Sequence, residues 1–494
     1  MHYLALCTDY DGTLATDGRV LPGTLSALEQ LLASGRRLVL VTGRELDDLQ
    51  QVCPRLDLFE YVVAENGALL YKPSTGEETL LADRPPASFI AALGARGVGP
   101  ISVGRVIIAT WEPHETTVLA TIRDLGLELQ VIFNKGAVMI LPAGVNKATG
   151  LARALERMEL SPHNIVGVGD AENDHALLAS CECSVAVANA LPTLKSAADI
   201  VTTADHGAGV VELIEEMLRD DLASREPQLR RHHILLGTDE QGQEVRIPPL
   251  GETLLLAGEA GAGKSALAVG LMERLAARGY TFCAIGADGD YSSIAKAVAL
   301  GTASRAPTVS EILKLFRAAD QSCVVNLAGL AVADRLPFLG ALTPKLMELR
   351  ARSGHPHWVT FDETDEVLPP NGASAFREVL PLGNGGSILH ITEHVALVAR
   401  KALRATTLFI AVGAKGPALL EEFCQVCAVA RPATRIARLQ HGEALAWRPL
   451  VPNAQPFRLN IAAPKHESGG GSGLSSPASM ASVRVAKTRT QWLN

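Results

Sequence analysis

Residues 4–14 read LALCTDYDGTL, an apolar run that ends in two aspartates separated by one tyrosine and followed by Gly-Thr. An ionised carboxylate at a strand tip can attack phosphorus and form an acyl phosphate, which makes Asp9 the candidate nucleophile. Asp11, two residues on, points to the same edge but outside the line of attack, where it can protonate a leaving alcohol and then deprotonate a water. A lone carboxylate pair also fits a simple turn or cap. Three further stretches, in order, favour chemistry: VTGR with Thr42 and Gly43, NKATG with Lys147, and GVGDAENDHALL with Asp170, Asn173 and Asp174. Carboxylates crowded beside a phosphate dianion require cations. Mg2+ is therefore expected on Asp9, Asp170 and the backbone carbonyl of Asp11, with Asp174 beside it. Lys147 offsets the remaining charge, and Thr42 and Gly43 meet the phosphoryl oxygens. Asn173 and Asp174 support the phosphate, the ion or Lys147 from behind.

A second constellation is GEAGAGKS, residues 258–265, which fits G-x-x-x-x-G-K-[ST] between the strand-like TLLLA and the helix-like SALAVGLMERL. Gly258, Gly261, Ala262 and Gly263 allow backbone amides to curl around an anion at a helix amino terminus. Lys264 is expected on the β and γ phosphates and Ser265 on magnesium, with ATP as substrate. HWVTFDETDE ends another strand with Asp362, suited to the same magnesium, and Glu363, placed to polarise a water. Thr392 and Glu393 sit at a further strand end, in a sensor position.

The elements that must carry these residues alternate. LALCTD, RLVLVTG, YVVAENG, NIVGVGD and SVAVAN are short apolar runs separated by stretches of helical periodicity, the pattern of parallel βαβ units. Such sheets bind ligands at the carboxyl ends of their strands. The fold class is thus α/β, with two doubly wound parallel-sheet domains. The expected boundaries are a core at 1–82 and 143–218, an inserted α+β cap at 83–142 and a linker at 219–232. An ATPase domain follows at 233–464, and a Gly- and Ser-rich disordered tail at 465–494 carries Arg484, Lys487 and Arg489.

The first block resembles the haloacid dehalogenase superfamily, and within it the Cof-like, type IIB phosphatases with a C2 cap. DYDGT, VTGR, NKATG and GVGDAENDHALL match in order over about residues 1–215. That resemblance implies a magnesium-dependent phosphatase acting through an aspartyl phosphate on a small phosphorylated sugar or related metabolite. Substrate choice would come from the cap, where Arg105, Trp111, Glu112, His114 and Lys135 lie without assigned roles. The second block, about 232–450, resembles HerA/FtsK-type ATPases through its P-loop, the preceding hairpin ILLGTDEQGQEVRIP, GADGDYSSI and the run into HWVTFDE. This implies a homo-oligomeric ring, in which an arginine finger would be sought among Arg350, Arg352, Arg400 and Arg404. Solvated helix arginine is the simpler reading of all four.

The 494 residues are 47% hydrophobic and 20% charged, which excludes a largely disordered chain. A net charge of −8 opposes chain-wide attraction to nucleic acid, and no apolar run approaches a membrane span, so a cytoplasmic protein is expected. Eight cysteines are too sparse for a disulfide scaffold, and Cys424 and Cys427 read as core packing. His355 and His357 read as an edge turn, and His232 and His233 as linker residues. The leading function is a phosphomonoesterase fused to an ATP-hydrolysing domain. A nucleic-acid end-processing enzyme or DNA motor is one alternative, and a nucleotide-dependent assembly switch with a non-catalytic phosphatase module is another.

Overall fold

The computed structural model describes residues 1–286, 291, 294, 297–318, 320–369 and 386–463. The expected tail, and most of GADGDYSSI, lie outside the described residues. In chain order the first half contributes β1 (Ala5–Thr8), β2 (Arg37–Val41), β3 (Tyr61–Ala64), β4 (Leu69–Lys72) and β5 (Glu77–Leu80) to a core sheet. A separate insertion supplies β6 (Ser102–Val103), β7 (Ile108–Trp111), β8 (Leu129–Asn134) and β9 (Ala137–Pro142). The chain then returns to the core with β10 (Ile165–Gly169), β11 (Cys183–Ala186) and β12 (Ile200–Val201).

The core sheet runs β12-β11-β10-β1-β2-β3-β4-β5, parallel up to β3 and antiparallel from there. Its central strands are buried almost throughout and mostly apolar because both faces are covered, as parallel sheets require. Leu6, Leu38, Leu40 and Val166 pack to one face, with Leu28, Leu31 and Leu213 of the helices Pro22–Ala33 and His206–Asp220. Ala5, Cys7, Val39 and Val41 face the other way, onto Leu151, Ala154 and Leu155 of the helix Lys147–Met158. β1 lies between β10 and β2 with Thr8 level with Val168 and with Leu40, so the residues just past all three strands leave the sheet side by side.

The insertion is a four-stranded antiparallel sheet, β6-β7-β9-β8, with the helices Ala87–Ala95 and Glu115–Asp124. Its two faces follow the alternation of β9: Val138 and Ile140 pack on Phe89, Leu93, Val118 and Ile122, whereas Met139 and Leu141 join Val106, Ile107 and Ala68 toward the core.

The second half holds β13 (Ile234–Thr238), β14 (Glu244–Ile247), β15 (Thr253–Gly258), β16 (Phe282–Gly286), β17 (Ala297–Leu300), β18 (Ser322–Asn326) and β19 (Trp358–Phe361). It ends with β20 (Ser387–Thr392), β21 (Leu408–Val412), β22 (Glu443–Trp447) and β23 (Phe457–Ile461). Their order is β14-β13-β23-β22-β21-β15-β20-β19-β16-β18-β17, parallel from β21 onward. The hairpin β13–β14 pairs onto β23 rather than standing apart.

Several polar residues are less exposed than their composition suggested. The segment between the halves is docked: Arg231 donates to the carbonyl oxygens of Ala179 and Cys181 and meets Asp199 at 3.0 Å. Arg350 is not a solvated helix arginine, because its guanidinium is buried and binds the carbonyls of Pro356, His357 and Ser387. His355 and His357 are both fully buried rather than on an edge turn. Arg352 does stay exposed, 3.5 Å from Glu159, while Arg400 and Arg404 reach the Cys427 carbonyl. All eight cysteines are buried and free. No helix among the described residues is long and apolar enough to cross a membrane.

Candidate active site

Four of the sequence-selected side chains meet in one buried cluster. The ammonium of Lys147 lies 2.5 Å from an oxygen of Asp9 and 2.7 Å from one of Asp174, and all three side chains are almost wholly buried. The other oxygen of Asp174 accepts the backbone N–H groups of Asp170 and Ala171 at 2.9 and 3.0 Å. Asp174 thereby fixes both the lysine and the turn that presents Asp170. Asp170 accepts from the Thr13 hydroxyl at 3.0 Å on one oxygen and from Lys135 of the cap at 2.7 Å on the other. Lys135 also reaches the Asp11 carbonyl at 3.3 Å.

The local sequence accounts for this convergence. Asp9 and Asp170 follow the adjacent strands β1 and β10, whose tips are in register. Lys147 opens its helix behind Asn146, which caps it reciprocally with Thr149. That helix end approaches Gly67 so closely that a Cβ there would lie 1.9 Å from the Asn146 carbonyl, and the backbone is left-handed at φ 106°. Gly12, at φ 83°, has the same necessity: a Cβ would fall 2.5 Å from both Asp170 and Lys135.

Burial raises the Asp9 carboxyl above its ordinary range, the charge of Asp174 raises it further, and Lys147 pulls it back. On Lys147 burial acts downward, but Asp174 and Asp9 outweigh it and the net shift is upward. Two ammonium groups, Lys147 and Lys135, face three carboxylates, and ligand oxygens of Asp9, Asp170 and Asp174 lie within 4.8 Å of one another. An all-oxygen set with excess negative charge fits a hard divalent cation such as Mg2+.

Asp11 is placed differently from Asp9. Arg44 holds its carboxylate in a fork, both bonds at 2.6 Å, and also binds Asp48 at 2.5 Å. Thr42 is buried just beyond β2, its hydroxyl accepting the Arg44 N–H at 3.1 Å. Gly43 lies against Met139 and Asn173, and Asn173 donates to Asn66 at 3.0 Å. Asp9, Asp11, Gly43, Arg44, Trp111 and Lys135 line one cleft of about 500 Å³ between core and cap. Sequence reading passed over Arg44, Thr13 and Glu65. Arg44 ends the VTGR stretch itself, and Glu65 comes directly after β3 at the same sheet edge, so the strand-tip logic extended by one strand would have found both.

In the second half, Gly261 and Gly263 are left-handed and the helix Lys264–Ala277 begins at the end of the loop. The Lys264 ammonium rests 2.9 Å from the carbonyls of Gly258 and Glu259 and 2.9 Å from Glu393. Ser265 is exposed beside it, with Ala262 part-buried in the turn. Asp362 and Glu363 come after β19, separated from β15 by β20, with all three strands parallel and their tips on one edge. Tyr291 donates to Asp362 at 2.8 Å, and Thr392 donates to Asp365 at 2.6 Å.

An α/β core whose parallel strand tips gather acids beneath an inserted lid defines a hydrolase-type site. Residues 6–92 and 106–214 match the haloacid dehalogenase-like hydrolase family. The chain is 31% identical over 223 residues to Phosphoglycolate phosphatase 2 of Saccharolobus solfataricus, a match covering 44% of this chain and 92% of that protein. It is equally 31% identical over 223 residues to a phosphoglycolate phosphatase of Methanothermobacter thermautotrophicus, across 43% of this chain and 98% of the relative. A haloacid dehalogenase-like hydrolase structure from Bacteroides thetaiotaomicron aligns with 44% of this chain and 99% of its own at 18% identity and a TM-score of 0.39. Through its amino-terminal half, the protein belongs to the haloacid dehalogenase-like hydrolase family.

Proposed function

We propose that the first half hydrolyses the phosphate monoester of a small carboxylic acid, of the phosphoglycolate type. The observation that carries this reading is the buried Lys147 ammonium gripping Asp9 and Asp174, with Asp9 itself lining a cleft to which the cap contributes a second ammonium, Lys135. The cap lysine adds a positive charge to the cleft, which suits a small and highly anionic phosphate ester, and two relatives carry the name phosphoglycolate phosphatase.

In this mechanism an Asp9 oxygen attacks phosphorus as the ester P–O bond breaks, and Lys147 orients the nucleophile while offsetting phosphoryl charge. Thr42 and the Gly43 backbone receive the phosphoryl oxygens. Asp11 gives its proton to the departing alkoxide, then takes one from the water that attacks the aspartyl phosphate and regenerates Asp9. Both oxygens of Asp11 are occupied by Arg44, so that fork must open before the proton moves. Asp9, Asp170 and the Asp11 carbonyl would hold Mg2+, which when bound supplies charge neutralisation to the phosphoryl group.

Phosphate release from phosphoglycolate, hexose phosphates and a 3′-phosphorylated oligonucleotide tests the assignment. Phosphoglycolate should be preferred, and Asp9→Asn should abolish turnover. Full turnover by Asp9→Asn, or a preference for the oligonucleotide, sinks the reading.

A second activity is supported by the glycine loop of residues 258–265. Lys264, held on two carbonyls of its own loop and on Glu393, is poised where a nucleotide's phosphates would replace them. In this reading Ser265 and Asp362 hold magnesium and Glu363 activates water for ATP hydrolysis. Lys264→Ala should remove ATP turnover while leaving phosphate release by the first half intact.

A further inference from the structure

Where the two halves meet, a cluster of imidazoles packs beside one buried carboxylate. Glu182, just ahead of β11, is 8% exposed. His163 places Nδ1 2.7 Å from a Glu182 oxygen, and His232 places Nε2 4.0 Å from the same oxygen. Tyr280, from the second half, donates its hydroxyl to that carboxylate at 2.7 and 2.9 Å. The rings are packed tightly: His163 stacks on Tyr280 at 3.8 Å, and His357 stands edge-on to both.

Hydrogen bonding accounts for only part of this cluster. Nε2 of His232 is shielded from solvent and without a hydrogen-bond partner, and so are Nε2 of His2 and Nε2 of His357. Buried polar atoms in folded proteins are nearly always paired, so the orphaned Nε2 of His232, 4.0 Å from the Glu182 carboxylate, requires an explanation. The ligand atoms of His163, Glu182 and His232 lie within 4.8 Å of one another, a spacing that small side-chain adjustments close around one ion.

We propose that His163, Glu182 and His232 form a binding site for a divalent transition-metal ion of the zinc class, separate from the acidic cluster. Two imidazole nitrogens and one carboxylate oxygen suit Zn2+, whereas the all-oxygen set at Asp9 suits Mg2+. Tyr280 is the outer partner that orients the carboxylate. The ion takes the place of the hydrogen that now bridges His163 Nδ1 and Glu182, and that hydrogen moves to Nε2 of the same ring, which stays neutral as a ligand.

The protonation states agree with this. Burial lowers His2 and His232, which leaves their nitrogens neutral and able to donate lone pairs at neutral pH. Burial raises Glu182, but the hydrogen bond from His163 and the fields of His163, His232 and His2 bring it net below its ordinary value. Since His163 and Glu182 belong to the first half, His232 to the connecting segment and Tyr280 to the second, an ion here would pin the junction.

The test uses the full chain, stripped with a chelator and titrated with Co2+ and with Zn2+. Co2+ should give visible absorption bands of nitrogen-ligated, low-coordinate metal at one ion per chain, and Zn2+ should displace it. His232→Ala, at the rim of the site, should weaken Co2+ binding at least ~10-fold, and Glu182→Gln should do the same. Asp170→Asn should leave the bands unchanged. Zn2+ should raise the melting temperature of the parent but not of His232→Ala, whose circular dichroism establishes that it is folded. Bands that survive His232→Ala, bands lost in Asp170→Asn, or no bands at all in the parent would overturn the proposal.

Discussion

Replacing Glu65 with Gln strikes the joint between core and cap without touching the acidic cluster. Glu65 is fully buried, and its two oxygens accept three cap backbone N–H groups: Arg105 at 2.7 Å on one, Val106 at 2.6 Å and Ile107 at 2.9 Å on the other. A hydrogen bond to a charged acceptor contributes about 1.5–3 kcal/mol net. Glutamine keeps one oxygen, best placed toward Val106 and Ile107, and turns an NH2 group toward the Arg105 N–H. One bond is lost and two donors oppose each other, a loss of about 2–4 kcal/mol confined to the joint. Amide exchange of residues 105–107, followed by mass spectrometry, should therefore accelerate roughly 30- to 1000-fold, at ~1.4 kcal/mol per factor of ten. Exchange in β1 and β10 should be unchanged, and kcat/KM for the phosphate ester should fall. Acceleration below threefold would show that Glu65 does not hold the cap.

Lys147→Met leaves Asp9 and Asp174 buried and uncompensated, and urea denaturation should show a loss of about 3–5 kcal/mol, partly recovered in Lys147→Met/Asp174→Asn without recovery of activity. A single variant as stable as the parent would contradict the geometry. Burial lowers His355 and His390 from 6.5 to about 4. Above pH 6.5 neither state binds the proton; below it the unfolded chain does so first, so stability should fall from pH 6.5 to about 4 by ~1.4 kcal/mol per unit for each histidine. His390→Phe, beside Phe361, should reduce that slope, whereas an unchanged slope would show that His390 does not take up the proton on unfolding. Lys264→Ala should abolish the thermal stabilisation that ATP gives the parent; equal stabilisation of both proteins would dismiss the loop as a phosphate cradle.

The core was legible because a parallel sheet buried on both faces leaves continuous apolar runs, as in RLVLV and IVGVG, and brings the residues just past their carboxyl ends into line. Asp9, Asp170 and Lys147 could be read from that rule together with their charge. The Arg44–Asp11 fork could not, since it depends on how two loops 33 residues apart meet. Nor could the role of Glu65, whose partners lie 40 residues and more away inside the insertion. Composition misled at Arg350 and His357, each polar and each drawn inward by partners from another element: backbone carbonyls for Arg350 and Thr281 for His357.

Lys135 gives the lid a consequence of its own. Each oxygen of Asp170 has one partner, Thr13 on one and that ammonium on the other, so an ion binding Asp170 would compete with the lysine of the β8–β9 hairpin for the carboxylate. Loading and latching would then oppose each other at one carboxylate, each weakening the other by the same factor.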